Sequence, residues 1–366
     1  MTHFRPIFNL QRFEIDRIPK TNLEPSREWS THMIDDLQFG KRNKKGDWKP
    51  NEAIALPPMA NAKRKMNLGG WLLGFIWPWN LMTVGLTALL WFFVIPPIDV
   101  MQTLSFDWIA TLFAVNWIAL FLWLGSWELV LYRKRSQERR FKYNNAFPSE
   151  KPADYFWFKD QNIDNFIRSM FISVPIMVAM EVFALWMFAN GWGAISFATE
   201  QPILFVLLLI FIPILHEAYF FFAHWFLHWE PFYKWCHAVH HNSINPSPWT
   251  SMSNHPLEMF LQFLPAVIWI PLSPFLVLYH FNTVAFSSVL GHIGFEKIEL
   301  GKEKTWDSHA YPHYLHHKHF DVNYCDDGYL PWDKWFGTWH DGTKEGEQLM
   351  QERFKAKVAR KNKRAA

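Results

Sequence analysis

The amino-acid sequence predicts an all-α integral membrane protein, a helical bundle with a histidine-rich helical cap. Two observations carry this prediction. Apolar blocks of about 20 residues or more, the length that a helix needs to cross a bilayer, alternate with strongly charged blocks. Aromatic residues make up 18% of the chain and include 22 tryptophans, and such rings favour the two membrane interfaces. The net charge of +3 is too small to suggest a nucleic-acid partner.

The chain starts with a polar arm, residues 1–70, that lacks the apolar core of a cleavable signal peptide. Its basic residues form two groups, Lys41, Arg42, Lys44, Lys45 and Lys49, and then Lys63, Arg64 and Lys65. A disordered tail and a cytoplasmic anchor beside the membrane both fit this composition. We favour the anchor because the second basic group adjoins the first apolar block.

Four apolar blocks predict transmembrane helices. They cover residues 71–95, 108–132, 169–189 and 203–222. The loops after the first and third blocks lack Lys and Arg, whereas the loop after the second begins with the cationic RKRSQERRFK. By the positive-inside rule, the protein is multi-pass, with both termini and the histidine-rich region in the cytoplasm.

Three histidine groups stand out after the fourth block. His224 and His228 are four residues apart. The pattern HxxHH occurs twice, as His237, His240 and His241 and again as His313, His316 and His317. Residues three and four apart share a face of a helix, so each group is expected to direct its imidazoles to one point.

Neutral imidazole is the commonest metal ligand in proteins, and this chain has more of it than one metal needs. Eight or nine histidines exceed the four ligands of a tetrahedral zinc, so they predict two metals with open positions. An all-nitrogen ligand set fits iron, zinc, copper or nickel. Iron is the choice that would let such a site activate O2 and attack an unactivated C–H bond, and a lipid substrate could reach it from the bilayer.

The apolar run at residues 260–290 decides whether the histidine groups can meet. A single crossing would place the two HxxHH groups on opposite sides of the membrane. However, Pro265, Pro271 and Pro274 break the run near its middle. The sequence therefore predicts a helical hairpin that enters the bilayer and returns, as the metal hypothesis requires.

The stretch from Glu217 to Glu258 resembles the fatty acid hydroxylase/sterol desaturase superfamily. Members of this superfamily carry HxxxH at an aromatic helix end, then HxxHH, then a proline-containing loop ending in HPxE. This chain has HWFLH, HAVHH and NSINPSPWTSMSNHPLE. The C-terminal family pattern HxxHHxxFxxNYG…WDxxFGT corresponds to HYLHHKHFDVNYCDDGYLPWDKWFGT. Order, spacing and flanking residues agree over about residues 200–340.

The resemblance implies a set of metal ligands, including an isolated histidine in LGHIG. They are His224, His228, His237, His240, His241, His292, His313, His316 and His317. It also implies two iron ions, for which zinc can substitute in a purified form, with O2 as co-substrate and a lipid or sterol that is hydroxylated or desaturated. Cys325 departs from the family, which has Gly there, and would be strained if that position needs a positive φ.

Electrons are expected from a separate cytochrome, ferredoxin or flavoprotein, because the chain has no Gly-rich dinucleotide fingerprint and no evident haem domain. Cys236 and Cys325 both fall on the predicted cytoplasmic side, which argues against a disulfide between them. We divide the chain into the arm (1–70), three spans with the basic loop (71–200), a catalytic domain (201–340) and a charged C-terminal helix (341–366).

Several polar residues are predicted to orient ligand imidazoles rather than to bind metal. They are His255 and Glu258, with Glu217, Asp307 and Asp333 as weaker candidates. Glu181, inside the third span, either has a functional role or pairs within the bundle.

Two other functions remain open. A membrane zinc hydrolase would use HExxH, which His216 and Glu217 begin, but Phe220 replaces the second histidine. A non-enzymatic metal transporter or haem-binding membrane protein would carry its ligands near the membrane midplane.

Overall fold

The computed structural model describes residues 34–57, 68–194, 197–301, 304–325 and 328–365. Its helices are α1 (Leu68–Phe75), α2 (Leu81–Phe93), α3 (Ile98–Met101), α4 (Phe106–Trp127), α5 (Gln161–Arg168), α6 (Val174–Met187), α7 (Phe197–Glu200), α8 (Pro202–Leu227), α9 (Glu230–Phe232), α10 (Ala238–His241), α11 (Pro256–Phe263), α12 (Pro274–His292), α13 (Tyr311–His319), α14 (Trp332–Trp335) and α15 (Lys344–Ala365). The strands are β1 (Gly40–Arg42), β2 (Trp48–Pro50), β3 (Lys297–Glu299) and β4 (Thr305–Asp307).

The described residues are mostly helical, but two antiparallel strand pairs, β1–β2 and β3–β4, depart from the all-α prediction. Each strand has three residues. That length is too short to show the alternation of apolar and polar residues by which a strand is recognised in a sequence.

Five helical segments among the described residues are long and apolar enough to cross a membrane. They are Gly69–Phe93, Phe106–Arg133, Gln161–Trp192, Pro202–Leu227 and Pro274–His292. The first four overlap the predicted spans. The third segment begins eight residues before its apolar block because the Asp160 carboxylate caps it, accepting hydrogen bonds from the backbone N–H groups of Asn162 and Ile163.

α8 leads to the histidines. Its 26 residues span about 39 Å at 1.5 Å per residue. The hydrocarbon core of a bilayer is about 30 Å thick. The last turns of α8 can therefore carry polar side chains beyond the apolar region, and His224 lies in the last turn.

The apolar run after His255 is broken between Trp269 and Pro274, as the prolines predicted. α11 continues into a short 3-10 segment, and the chain turns before α12 begins. The limbs contact each other, since the Trp269 indole donates a hydrogen bond to His280 of α12. α12 is also central to the bundle, because 72% of its apolar window is buried, against 17% to 56% in the other four segments.

A second apolar core lies outside the bundle, and we call the region around it the cap. This core combines residues of the arm with residues from 131–147 and 293–322. Trp48 of β2 is 1% exposed and packs with Phe141, Tyr143 and Phe295. The described part of the arm thus folds against the cap, a position that its basic composition did not predict. The basic group at 63–65 lies outside the described residues. The predicted C-terminal helix is present as α15.

Glu181 is fully buried in the bundle and accepts a hydrogen bond of 2.8 Å from the side-chain amide of Asn116 on α4. Of the two roles considered for this carboxyl group, the structure shows the pairing within the bundle. A buried acid with a hydrogen-bonded partner avoids much of the cost of leaving a polar group alone in the membrane.

Candidate metal centre

Nine histidines converge in two groups of ring nitrogens, and within each group the ligand atoms lie within 4.8 Å of one another. The first group contains His224, His228, His237, His241 and His316, and the second contains His240, His292, His313 and His317. These are the nine residues that the sequence and its family resemblance selected. The break in the apolar run at 260–290 was predicted to let the two HxxHH groups meet, and their histidines do lie together.

The nitrogen–nitrogen distances match the geometry of a six-coordinate ion. In the first group, His237 Nε2 lies 3.1 Å from His224 Nε2 and 3.0 Å from His228 Nε2. His241 Nε2 lies 3.1 Å from both His228 Nε2 and His316 Nε2. For metal–nitrogen bonds of about 2.1 Å, adjacent ligands of an octahedral ion lie about 3.0 Å apart and opposite ones about 4.2 Å apart.

The second group has similar spacing. His313 Nε2 lies 2.8 Å from His292 Nε2 and 3.0 Å from His317 Nε2. His292 Nε2 lies 3.2 Å from His240 Nε2. Four nitrogens in this arrangement would leave two positions of an octahedral ion for other ligands.

Each HxxHH pattern divides its histidines between the two groups, which corrects the expectation that each pattern aims at one point. The first pattern gives His237 and His241 to the first group and His240 to the second. The second pattern does the reverse, giving His316 alone to the first group. The reason is helical geometry, because neighbouring residues point about 100° apart. Each His-His pair therefore faces two adjacent sites.

Backbone carbonyls fix the ring orientation of three of these histidines. The Nδ1 atoms of His224, His292 and His316 lie 2.7, 2.7 and 2.6 Å from the carbonyl oxygens of Tyr324, Ser288 and Val322. A carbonyl oxygen only accepts, so each Nδ1 carries the proton and each Nε2 presents its lone pair inward. Such outward hydrogen bonds are typical of metal-ligating imidazoles. The residues present therefore fit a metal in each group.

Glu258 contacts a candidate ligand, as an orienting residue must. Its Oε1 lies 2.8 Å from Nδ1 of His237, and both side chains are buried. Burial lowers the pKa of His237 to about 3 and lowers the pKa values of His240 and His241 well below the usual value. The imidazoles are therefore neutral at neutral pH, and neutral imidazole is the form that binds metal.

His255 and Asp307 contact other parts of the protein, in contrast to the prediction that they orient ligands. His255 is the N-cap of α11, and its Nδ1 accepts a hydrogen bond from the backbone N–H of Leu257. The His255 ring packs near the ring of Trp235, with centroids 5.7 Å apart. Asp307 is exposed on β4 and pairs with Lys297 of the neighbouring strand.

Glu217 holds a loop. Its carboxylate accepts hydrogen bonds from the backbone N–H groups of Tyr329 and Leu330. This arrangement also weakens the zinc hydrolase hypothesis. The carboxylate that would act as general base is bound to the backbone, and Phe220, in place of the second histidine, packs its ring near those of His216 and His224.

Asp333 supports the candidate ligand His224 indirectly, through the backbone. Its carboxylate accepts 2.8 Å hydrogen bonds from the backbone N–H groups of Tyr324 and Cys325, which holds the turn whose carbonyl meets His224. Cys325 does not have a positive φ, so the strain considered for it does not arise. Within this turn the residue with positive φ is Asn323, at 49°. Cys236 and Cys325 are not joined by a disulfide, as predicted.

A third group, His319, His340 and Glu347, has the composition of a metal site but a different hydrogen-bond pattern. Nδ1 of His340 accepts a hydrogen bond from the backbone N–H of Gly342. The proton of the neutral ring is then on Nε2, which faces the Glu347 carboxylate at 3.5 Å. This group fastens α15 to the cap by hydrogen bonding.

An open cavity of about 270 Å³ connects the bundle to the histidines. Five of the nine histidines line it: His224, His237, His240, His292 and His313. Much of the remaining wall comes from α2, α8, α11 and α12, including Met82, Phe220, Leu261 and Phe286. One end of an apolar molecule bound in this cavity would therefore lie next to the histidines.

These features define a class of protein: a helical membrane protein with two adjacent polyhistidine clusters at the end of an apolar cavity. The family model described as fatty acid hydroxylase matches residues 208–338. The chain is 30% identical over 190 residues to the Delta(7)-sterol-C5(6)-desaturase of Nicotiana tabacum, which covers 49% of this chain and 67% of that protein. The chain belongs to the fatty acid hydroxylase/sterol desaturase superfamily.

Two Delta(7)-sterol 5(6)-desaturases of Gibberella zeae are also similar. One is 31% identical over 191 residues, 50% of this chain and 51% of the relative. The other is 27% identical over 173 residues, 44% of this chain and 50% of the relative. The chain thus spans about half the length of these fungal proteins. No solved structure matches the chain significantly.

Proposed function

We propose that the chain is a membrane-bound, O2-dependent di-iron oxidoreductase that hydroxylates or desaturates a lipid or sterol. The observation that carries this proposal is the meeting of nine imidazoles in two adjacent groups at the end of an apolar cavity. The names of the fungal and tobacco relatives, which are sterol desaturases, favour a sterol or a similar lipid as substrate.

The two histidine groups would each hold one iron ion. When bound, the irons would supply the activation of O2 for attack on a C–H bond. The five nitrogens of the first group and the four of the second leave coordination positions open, as a catalytic site needs. Outward hydrogen bonds to Glu258 and to backbone carbonyls would keep the ligand nitrogens in place during turnover.

The apolar wall of the cavity would hold the lipid chain and exclude water from the reacting end. Phe220 and Phe286, together with Leu261, supply apolar surface next to the histidines. Burial of hydrocarbon against such surface contributes about 25 cal/mol per Å². The substrate would enter from the bilayer and present one carbon to the metal centre.

The orientation and the redox partner belong to the same proposal. The basic loop after the second span and the basic arm favour a cytoplasmic position for the histidines and for both termini. Electrons would come from a cytochrome, ferredoxin or flavoprotein, and the predicted catalytic domain, residues 201–340, would carry the chemistry. A transporter would hold its ligands near the midplane, whereas here they lie at the ends of α8 and α12.

Metal analysis of the purified chain tests this proposal. We expect two irons per chain and O2-dependent oxidation of a lipid that accumulates in cells lacking the gene. His240→Ala should remove one iron and abolish turnover, because His240 belongs to the second group. His309→Asn is the matched control, since His309 is exposed with φ of 57° and Asn tolerates that conformation. Full turnover in His240→Ala, or hydrolysis of lipid esters without O2, would contradict the proposal.

A further inference from the structure

A chain of three rings lies beside the cavity, in the membrane part of the bundle. The indole N–H of Trp269 donates a 2.8 Å hydrogen bond to Nδ1 of His280. Nε2 of His280 lies 2.9 Å from Nδ1 of His216. His280 is 1% exposed, and His216 lines the cavity. Apart from the incomplete HExxH that His216 begins, nothing in the sequence distinguishes these two histidines from ordinary core residues.

The indole determines where every proton in this chain of rings lies. An indole N–H only donates, so Nδ1 of His280 must accept and the proton of that ring must be on Nε2. Nε2 of His280 then donates to Nδ1 of His216. The remaining proton of His216 must therefore be on its own Nε2. His216 is thereby fixed as a hydrogen-bond donor through Nε2.

The ring that carries this donor lines the space that a substrate would occupy. No described residue accepts a hydrogen bond from Nε2 of His216, and the ring is part of the cavity wall. His216, Phe220 and His224 follow one another at intervals of four on one face of α8, with ring centroids 6.2 and 4.9 Å apart. Eight residues of helix separate His216 from His224 by about 12 Å.

We propose that His216 is a specificity-determining residue that donates a hydrogen bond from Nε2 to an oxygen atom of the lipid substrate. The substrate class is then an oxygenated lipid, with a hydroxyl, ether or carbonyl oxygen on the order of 12 Å from the carbon held at the histidines. A pure hydrocarbon in the same place would leave a buried N–H group without a partner, which is unfavourable. The 12 Å separation rests on the proposed function, whereas the binding of the oxygen does not.

Binding to the full-length protein as purified, in nanodiscs under argon so that no O2-dependent turnover occurs, tests this inference. The probes form two series: cholesterol, its 3-methyl ether and cholest-5-ene, and 1-hexadecanol, its methyl ether and heptadecane. The wild type should bind the alcohol and the ether of at least one series about tenfold more tightly than the hydrocarbon, a difference of about 1.4 kcal/mol. The ether should match the alcohol because the protein donates and the ligand oxygen accepts.

Variants of His216 separate this role from a structural one. His216→Phe should bind all members of a series equally, while His216→Gln, which keeps an N–H donor, should restore part of the preference. His319→Gln serves as the control, because it lies in the cap outside the cavity lining. Thermal unfolding should show that each variant is folded.

Equal binding of all three probes by the wild type in both series would overturn the inference, and so would an unchanged preference in His216→Phe. A preference for the alcohol over its ether would also overturn it, because the protein group would then be an acceptor. Failure of the proposed function would look different: a chain without iron or O2-dependent turnover would still show the oxygen preference.

Discussion

At the scale of single residues, Glu258 is the side chain on which the position of His237 depends. Glu258→Leu removes the acceptor for Nδ1 of His237. We expect iron affinity of the first group to fall about 10- to 100-fold. Glu258→Gln should lose less, because its amide oxygen still accepts. Iron titration measures the difference, and Glu352→Leu on the exposed face of α15 is the control. Unchanged affinity in Glu258→Leu would exclude this role.

Lys142 provides a residue-scale prediction of pH dependence. Its ammonium group is fully buried, 3.1 Å from Oδ1 of Asn245 and near the rings of Tyr132 and Phe147. Burial lowers its pKa to about 7 from the usual lysine value of 10.5. Between these two values the unfolded state binds more protons, so stability rises with pH over this window. It falls as pH drops toward 7, where the buried group becomes charged.

Lys142→Met should therefore be more stable than the wild type at pH 7 and should show a flatter dependence of Tm on pH between 7 and 9.5. Thermal unfolding in nanodiscs at several pH values measures both. Lys134→Met, an exposed lysine of the same loop, should keep the slope of the wild type. A slope in Lys142→Met equal to that of the wild type would assign the pH dependence to other groups.

At the scale of elements, the turn at 322–325 delivers two carbonyls to the first histidine group. Asn323 holds this turn: its side chain donates to the carbonyls of Pro312 and His340 and accepts from the His340 N–H, at φ of 49°. Asn323→Ala should loosen the contacts to His224 and His316, and so lower iron occupancy of the first group more than of the second. Asn323→Gly tolerates the positive φ but loses the side-chain hydrogen bonds. It therefore separates the effect of backbone strain from the effect of the lost hydrogen bonds.

Iron content per chain, measured with the Mössbauer signal of each site, checks this prediction. We expect Asn323→Ala to retain the iron of the second group, because His292 takes its backbone partner from Ser288 within α12. Equal loss of both irons would show that the turn supports the centre as a whole rather than one half of it.

The elements also show what a sequence can and cannot predict. Apolar length located the spans, and three prolines located the break before α12, because both are properties of local composition. The nine converging histidines followed from motif spacing and family resemblance. The partners of His224, His292 and His316 could not be predicted, since any residue has a carbonyl oxygen. The prediction that His255 orients a ligand was wrong because Pro256 starts α11 and His255 caps that helix.

At the scale of the whole molecule, the metal centre joins the membrane bundle to the cap. α8 and α12 bring His224 and His292 from the bundle, while α13 brings three histidines from the cap core. A ligand that binds only the folded state stabilises it by RT ln(1 + [L]/Kd), about 2.7 kcal/mol at 100 times Kd. Each iron should therefore act as a cross-link between the two apolar cores, which also share contacts with Trp127.

Chelation should accordingly lower Tm and should make the cap sensitive to protease before the bundle. Limited proteolysis of the iron-loaded and chelated protein in nanodiscs, followed by mass spectrometry, locates the first cuts. We expect them between α13 and α14 after chelation, since the rings of His224 and His316 contact the carbonyls of that turn and would lose the metal that fixes them. His240→Ala should show a smaller effect, because the first group keeps its five nitrogens. First cuts in the loops of the bundle would mean that packing, not metal, holds the cap in place.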